Sequence, residues 1–343
     1  MKKRDNLIDI FRGIAVLSII IIHTTFWSGS TYVPLAIQSL SLLIDVPLFM
    51  FISGMTFNFT NSVMKNIKGL FNIWKKYLIF LIPFFIYEFI KNRAIISLES
   101  IVSSLFFDIN INTALPVVPG SIWFIYMFFI VSIICSIIIA IYNKYNDNLN
   151  NFKYIILVSF IIYGMSLYKP DFIFLSSNYL MYTFIYLLGY YLYNKKFKTI
   201  WDFLIPFFSN ILILLVLLKF GEYSITSIQN AKFTFSLTYL SYSMISILLV
   251  TYLKDKIKIK FKPLEFIGQN AIVFYFAQGV SSSLLYMFEP LFQFHWAPKL
   301  LVLIAINTIL TLVFGYLLYL FINIVTKLLD NINNLICITD KES

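Results

Sequence analysis

The sequence predicts an all-α integral membrane protein: a bundle of about ten transmembrane helices with both termini in the cytosol. Three observations predict it. Apolar residues fill 60% of the 343 positions and charged residues 12%, whereas soluble domains hold about 45–50% and about 25%. The apolar residues gather in stretches near the roughly 20 residues that a bilayer crossing needs. Those stretches lack the period-2 alternation of a membrane barrel.

In chain order the stretches lie near 7–27, 35–59, 70–90, 122–142, 153–168, 178–193, 203–219, 235–253, 264–288 and 300–326. The fifth and sixth are short. The first is too long for a cleavable signal peptide and lacks a small-residue cleavage site. The longest connection, about 91–121, contains Pro116 and Pro119 and is long enough to fold over a site. No internal repeat is visible, so 1–343 is expected to be a single transmembrane domain with no appended soluble domain.

The basic residues orient the bundle. With the amino terminus in the cytosol, nineteen lysines and arginines fall on cytosolic segments and six on outer ones (Lys91, Arg93, Lys169, Lys219, Lys232 and Lys299). Arg12 lies inside the membrane and completes the 26. This is the positive-inside pattern, and an even number of crossings returns the carboxyl end to the cytosol. The net charge of +10 thus reflects topology and anionic lipids, not a nucleic-acid partner. Cys135 and Cys337 imply neither a disulfide framework nor a metal site.

Two ionisable residues stand inside the first stretch. Arg12 and His23 are eleven residues apart, which at about 100° per residue returns them to nearly one helical face, about 16 Å apart along the axis. Such groups are costly in hydrocarbon and persist facing a cavity, a partner or a substrate. Alone, Arg12 could snorkel to headgroups and His23 could hydrogen-bond at the interface; sharing a face, they favour function. Histidine suits a general base near neutral pH, and the arginine fork suits phosphate or pyrophosphate.

The run Ile8-Asp9-Ile10-Phe11-Arg12-Gly13-Ile14-Ala15 with His23 resembles the opening of the integral-membrane acyltransferase family three, whose members O-acetylate sugars and surface polymers. Pro47-Leu48-Phe49-Met50-Phe51-Ile52-Ser53-Gly54-Met55 is similar to a stretch of its fucose 4-O-acetylase-like branch. Trp74-Lys75-Lys76-Tyr77 with Pro83, Ile122-Trp123-Phe124-Ile125, and Phe266-Ile267-Gly268-Gln269-Asn270-Ala271-Ile272-Val273-Phe274-Tyr275 follow in the family's order. The chain departs from the pattern in places. Lysines stand at 75 and 76 where arginines are common, and Gln278 stands where the ninth-helix motif often ends in histidine. Asp45 precedes the Pro-Leu-Phe run with no role assigned.

The resemblance implies a membrane O-acyltransferase, with acetyl-CoA as donor and a hydroxyl of a lipid-linked or surface glycan as acceptor, and no metal. His23 would be the general base, and Arg12 with Lys75 and Lys76 would meet the CoA phosphates. Ser53 and Gly54 would let the donor approach the backbone, and Trp123 would wall its tunnel. Each has a plainer reading. Ser53-Gly54 could be a small-residue packing face, and Trp123 an interfacial belt residue. Glu88 could pair with Lys91 or Arg93, or orient His23. The lysines from 254 to 262 could be a positive-inside loop only, and Ser281-Ser282-Ser283 lacks a nucleophile elbow. The rival reading is a transporter or flippase of glycan precursors, with Arg12 and His23 as pathway ligands. Inverted repeats would favour it, and the sequence shows none.

Overall fold

The computed structural model describes residues 5–29, 32–92, 97–146, 148–168, 175–293 and 295–342, with side chains of the final helix described to 331. All regular structure among these residues is helical: α1 (Asn6–Trp27), α2 (Leu35–Ser41), α3 (Val46–Thr60), α4 (Val63–Asn92), α5 (Leu98–Leu105), α6 (Val117–Tyr145), α7 (Phe152–Tyr168), α8 (Ser177–Tyr193), α9 (Trp201–Phe220), α10 (Ile228–Phe233), α11 (Leu237–Lys256), α12 (Lys262–Gln269), α13 (Ala271–Leu284) and α14 (Trp296–Glu342). Among the described residues eight helical stretches are long and apolar enough to cross a membrane. They correspond to the first five and to the seventh, eighth and tenth of the predicted stretches. The remaining two form the shorter α8, of 17 residues, and the α12–α13 pair. Arg93 and Lys169 fall outside the described residues, and Cys337 outside the described side chains.

Two predicted stretches are broken. The second divides into α2 and α3 at residues 42–45, where Asp45 is extended and Pro47 sits in the first turn of α3. Proline there needs no amide hydrogen and starts the new helix. The ninth divides at Asn270, whose Nδ2 donates to Phe266 O at 3.0 Å. Interrupted helices in membrane proteins gather at binding sites, where freed backbone groups can be used.

Glycine sets the tightest contacts. A Cβ on Gly54 of α3 would lie 1.9 Å from Tyr186 O of α8, and one on Gly189 of α8 would lie 2.1 Å from Phe51 O of α3. The same reciprocity joins α1 to α12: a Cβ on Gly268 would meet Asp9 O at 1.7 Å, and one on Gly13 would meet Leu264 O at 2.5 Å. Lipid is as apolar as leucine, so such close backbone approach, not hydrophobic burial, brings membrane helices together. Gly54→Val is expected to abolish recovery of folded protein in detergent. Gly164→Ala, at a site where a Cβ meets nothing within 4 Å, keeps the parental melting temperature or raises it. Fluorescence-detected size exclusion after heating measures both.

Residues 97–116, which precede α6, fold back along α4. Trp74 Nε1 donates to Leu105 O at 3.0 Å, and Tyr77 OH to Ser104 O at 2.7 Å. Glu88 is fully buried; it accepts from Thr113 Oγ1 at 2.6 Å and from Ala114 N at 3.0 Å. Buried irregular backbone persists only where its polar groups are satisfied, and three of these contacts do so, at Ser104 O, Leu105 O and Ala114 N. Glu88 therefore secures this connection. Lipid-facing surface lies on the peripheral helices: Leu212, Ile213 and Leu215 of α9 and Leu157 and Val158 of α7 are all more than half exposed.

Candidate functional site

The amino-terminal half of α1 delivers Arg12 to a cleft among α3, α4, α6 and the α12–α13 junction. Two adjoining cavities, about 210 and about 160 Å³, share Arg12, Ser53, Ile73 and Phe128. The larger also takes in Lys76, Phe124, Gln269, Ala271 and Tyr275. Arg12 is half-buried. Its Nη2 donates to Thr56 Oγ1 at 2.6 Å, and its Nη1 lies 3.7 Å from Asp9 Oδ1. Asp9 is buried and also accepts from Gln269 Nε2 at 3.3 Å, so one carboxylate anchors the arginine to the junction. Because the ninth stretch breaks at Asn270, α13 begins at the cleft, with Ala271 and Ile272 in its lining. A helix amino terminus presents free N–H groups and a partial positive charge. Arginine, lysine and this helix end together suit an anion.

Farther along α1, His23 sits in a second polar centre enclosed by six elements. It is half-buried, with Nδ1 shut from solvent and without a hydrogen-bond partner. Gln278 of α13 lies beside the imidazole, and Asp45 and Lys232 are within electrostatic reach. Lys232 Nζ of α10 is 2.7 Å from Asp45 Oδ2. Tyr239 OH of α11 donates to the same oxygen at 2.7 Å, and Tyr182 of α8 lies beside Tyr239. The charged pair is buried, Asp45 2% exposed and Lys232 7%. Such burial is tolerated only when the charges are paired and hydrogen-bonded.

Of the residues singled out from sequence, the fold brings Arg12, Lys76 and Ser53 into one cleft and holds His23 beyond it on the same helix. Ser53 Oγ donates to Phe49 O at 2.8 Å and borders both cavities. The others are placed elsewhere. Lys75 is exposed, with Nζ 5.1 Å from the centroid of the Phe71 ring. Gly54 is pressed against α8, so it serves the packing face. Trp123 packs edge-on against Phe124, and it is Phe124 and Phe128 that wall the cleft. Lys254 donates to Tyr193 O at 2.7 Å and Lys195 O at 2.8 Å, binding carbonyls at the end of α8; Lys258, Lys260 and Lys262 are exposed. Ser281 and Ser282 join a buried network with Asn307, and Ser283 Oγ accepts from Val117 N at 3.0 Å.

In the sequence Asp45 has no assigned role, Lys232 reads as an outer-loop charge, and Asp9, Tyr182 and Tyr239 do not stand out. Asp45-Val46-Pro47 carried a usable signal, since an Asp before a Pro marks a helix start. Among the described residues no group of three or more His, Cys, Asp or Glu could hold a metal ion.

Comparison with curated proteins and with solved structures finds no match. A family model, described as an acyltransferase domain, matches residues 5–326. That span takes in every helix that forms the cleft and the His23 centre. The chain therefore belongs to acyltransferase family three, and it is a multi-pass membrane enzyme that transfers acyl groups.

Proposed function

We propose that this enzyme is an O-acetyltransferase that moves an acetyl group from cytosolic acetyl-CoA to a hydroxyl of a lipid-linked or surface glycan. One observation carries the reading: a single helix, α1, holds Arg12 in an anion-suited cleft and, eleven residues on, His23 in a buried polar centre. Arg12, Lys76 and the amino terminus of α13 meet the phosphates of the donor. The flexible thioester arm spans the roughly 16 Å between the two residues. His23 takes the proton of the acceptor hydroxyl as its oxygen attacks the thioester carbonyl. A C–O bond forms, the C–S bond breaks, and the sulfur leaves with the electron pair as CoA thiolate, which the proton then neutralises. Ser53 borders the path of the arm, and Phe124 and Phe128 keep water from it.

Purified protein in detergent, given acetyl-CoA and native glycan-bearing membranes, should release free CoA and label the glycans. The transporter reading, with Arg12 and His23 as pathway ligands, expects neither.

The route also depends on orientation. In a background lacking Cys135 and Cys337, Glu222→Cys should react with an impermeant thiol reagent applied outside intact cells, and Ile259→Cys should not. Both positions are exposed. The reverse pattern would put the Arg12 cleft on the outer side, away from cytosolic CoA.

A further inference from the structure

Buried polar atoms are nearly always hydrogen-bonded, and each exception in a folded protein asks for an explanation. Among the described residues seven buried side-chain atoms lack a partner, and four of them belong to the polar centre of His23 and Asp45: His23 Nδ1 and Gln278 Nε2, side by side, with Asp45 Oδ1 and, on the far side of Asp45, Tyr182 OH. Tyr182 and Gln278 are fully buried and Asp45 is 2% exposed. They come from α1, the α2–α3 break, α8 and α13, so no local turn accounts for them. Each side chain is held by its other contacts. Asp45 Oδ2 is bound by Lys232 and Tyr239. Gln278 Oε1 accepts from Ser282 Oγ at 3.5 Å, and Ser282 is fixed in turn by Asn307. The Tyr182 ring meets Phe235 at 5.9 Å, nearly perpendicular.

We propose that these atoms form the acceptor subsite and that it selects an uncharged polyol, two neighbouring hydroxyls of a sugar ring. The inference rests on the acyl-transfer reading above. The chemistry is complementary. His23 Nδ1 and Asp45 Oδ1 accept, Gln278 Nε2 donates, and Tyr182 OH does either; neighbouring sugar hydroxyls each donate and accept. Lys232 neutralises Asp45, so the subsite carries no net charge with which to attract a phosphate. Unpaired polar atoms likewise disfavour an apolar chain. A hydroxyl seated between Asp45 and His23 has its proton directed at the base. Asp45, Tyr182 and Gln278 are thus acceptor-binding residues, and Lys232 and Tyr239 position Asp45.

The test uses the full-length protein with acetyl-CoA and, as acceptor, titrated native glycan-bearing membranes. Tyr182→Phe deletes only an unpartnered hydroxyl, so its melting temperature should equal or exceed the parent's. Asp45→Asn/Lys232→Met removes carboxylate and counter-charge together, leaving neither ion buried alone. Both variants should raise the apparent KM for acceptor at least tenfold and leave the KM for acetyl-CoA within twofold. An unchanged acceptor KM in both overturns the subsite. So does a joint rise of both KM values with a lowered melting temperature, the mark of a purely structural role. If the parent protein consumes no acetyl-CoA, the donor reading falls and the subsite falls with it. If the parent turns over and both variants match it, the subsite alone is lost.

Discussion

His23→Ala should lower acyl transfer roughly 10²- to 10⁴-fold, the contribution of a positioned general base, while the protein still inserts and purifies. The side chain is half-buried and its Nδ1 makes no hydrogen bond, so truncation breaks no structural contact of that atom. The apparent KM for acetyl-CoA should stay near the parental value, because the cleft at Arg12 lies about 16 Å away along α1. Steady-state transfer of labelled acetyl groups, with melting temperature as the folding control, measures the effect. Near-parental transfer by the variant would exclude His23 as the base.

Arg12→Ala should raise the apparent KM for acetyl-CoA by about 10- to 100-fold, since hydrogen bonds to a charged group contribute about 1.5–3 kcal/mol. Arg12→Lys keeps the charge that faces Asp9 but loses the planar fork, so it should also be impaired. Lys76→Ala, in the cleft, should act in the same direction. Lys75→Ala should not, because Lys75 lies exposed over Phe71. The neighbouring lysines therefore provide an internal control on one helix. Raised salt should mimic the Lys76 change by screening. Equal effects of the two lysine variants would move the donor site away from this cleft.

The spans and the Arg12–His23 relation were legible because they depend only on apolar run length and the helical repeat. The rotation of each helix was not. Lys75 and Lys76 differ by 100° of turn, as do Trp123 and Phe124. A helix apolar on all sides carries no stripe to say which neighbour points inward. The breaks fall at Asp45-Val46-Pro47 and Gly268-Gln269-Asn270, short polar interruptions that a count of apolar run length passes over. Lys232 reads as an outer-loop charge because its partner, Asp45, lies 187 residues earlier in the sequence. Only folding brings the two together.

The reciprocal glycines have a mechanical consequence. Where backbone meets backbone there is no side chain to change rotamer, so α1 with α12, and α3 with α8, behave as two stiff planks. Arg12 and His23 ride on one plank, and Ser53 with Thr56 on the other. Lys76 rides on neither: α4 contributes it from a helix held to the bundle through side chains and the folded-back connection. If the cleft widens to admit or release a bulky donor, the compliant seam is the one along α4. The distance between arginine and histidine, ruled along a single stiff helix, keeps its length throughout the cycle.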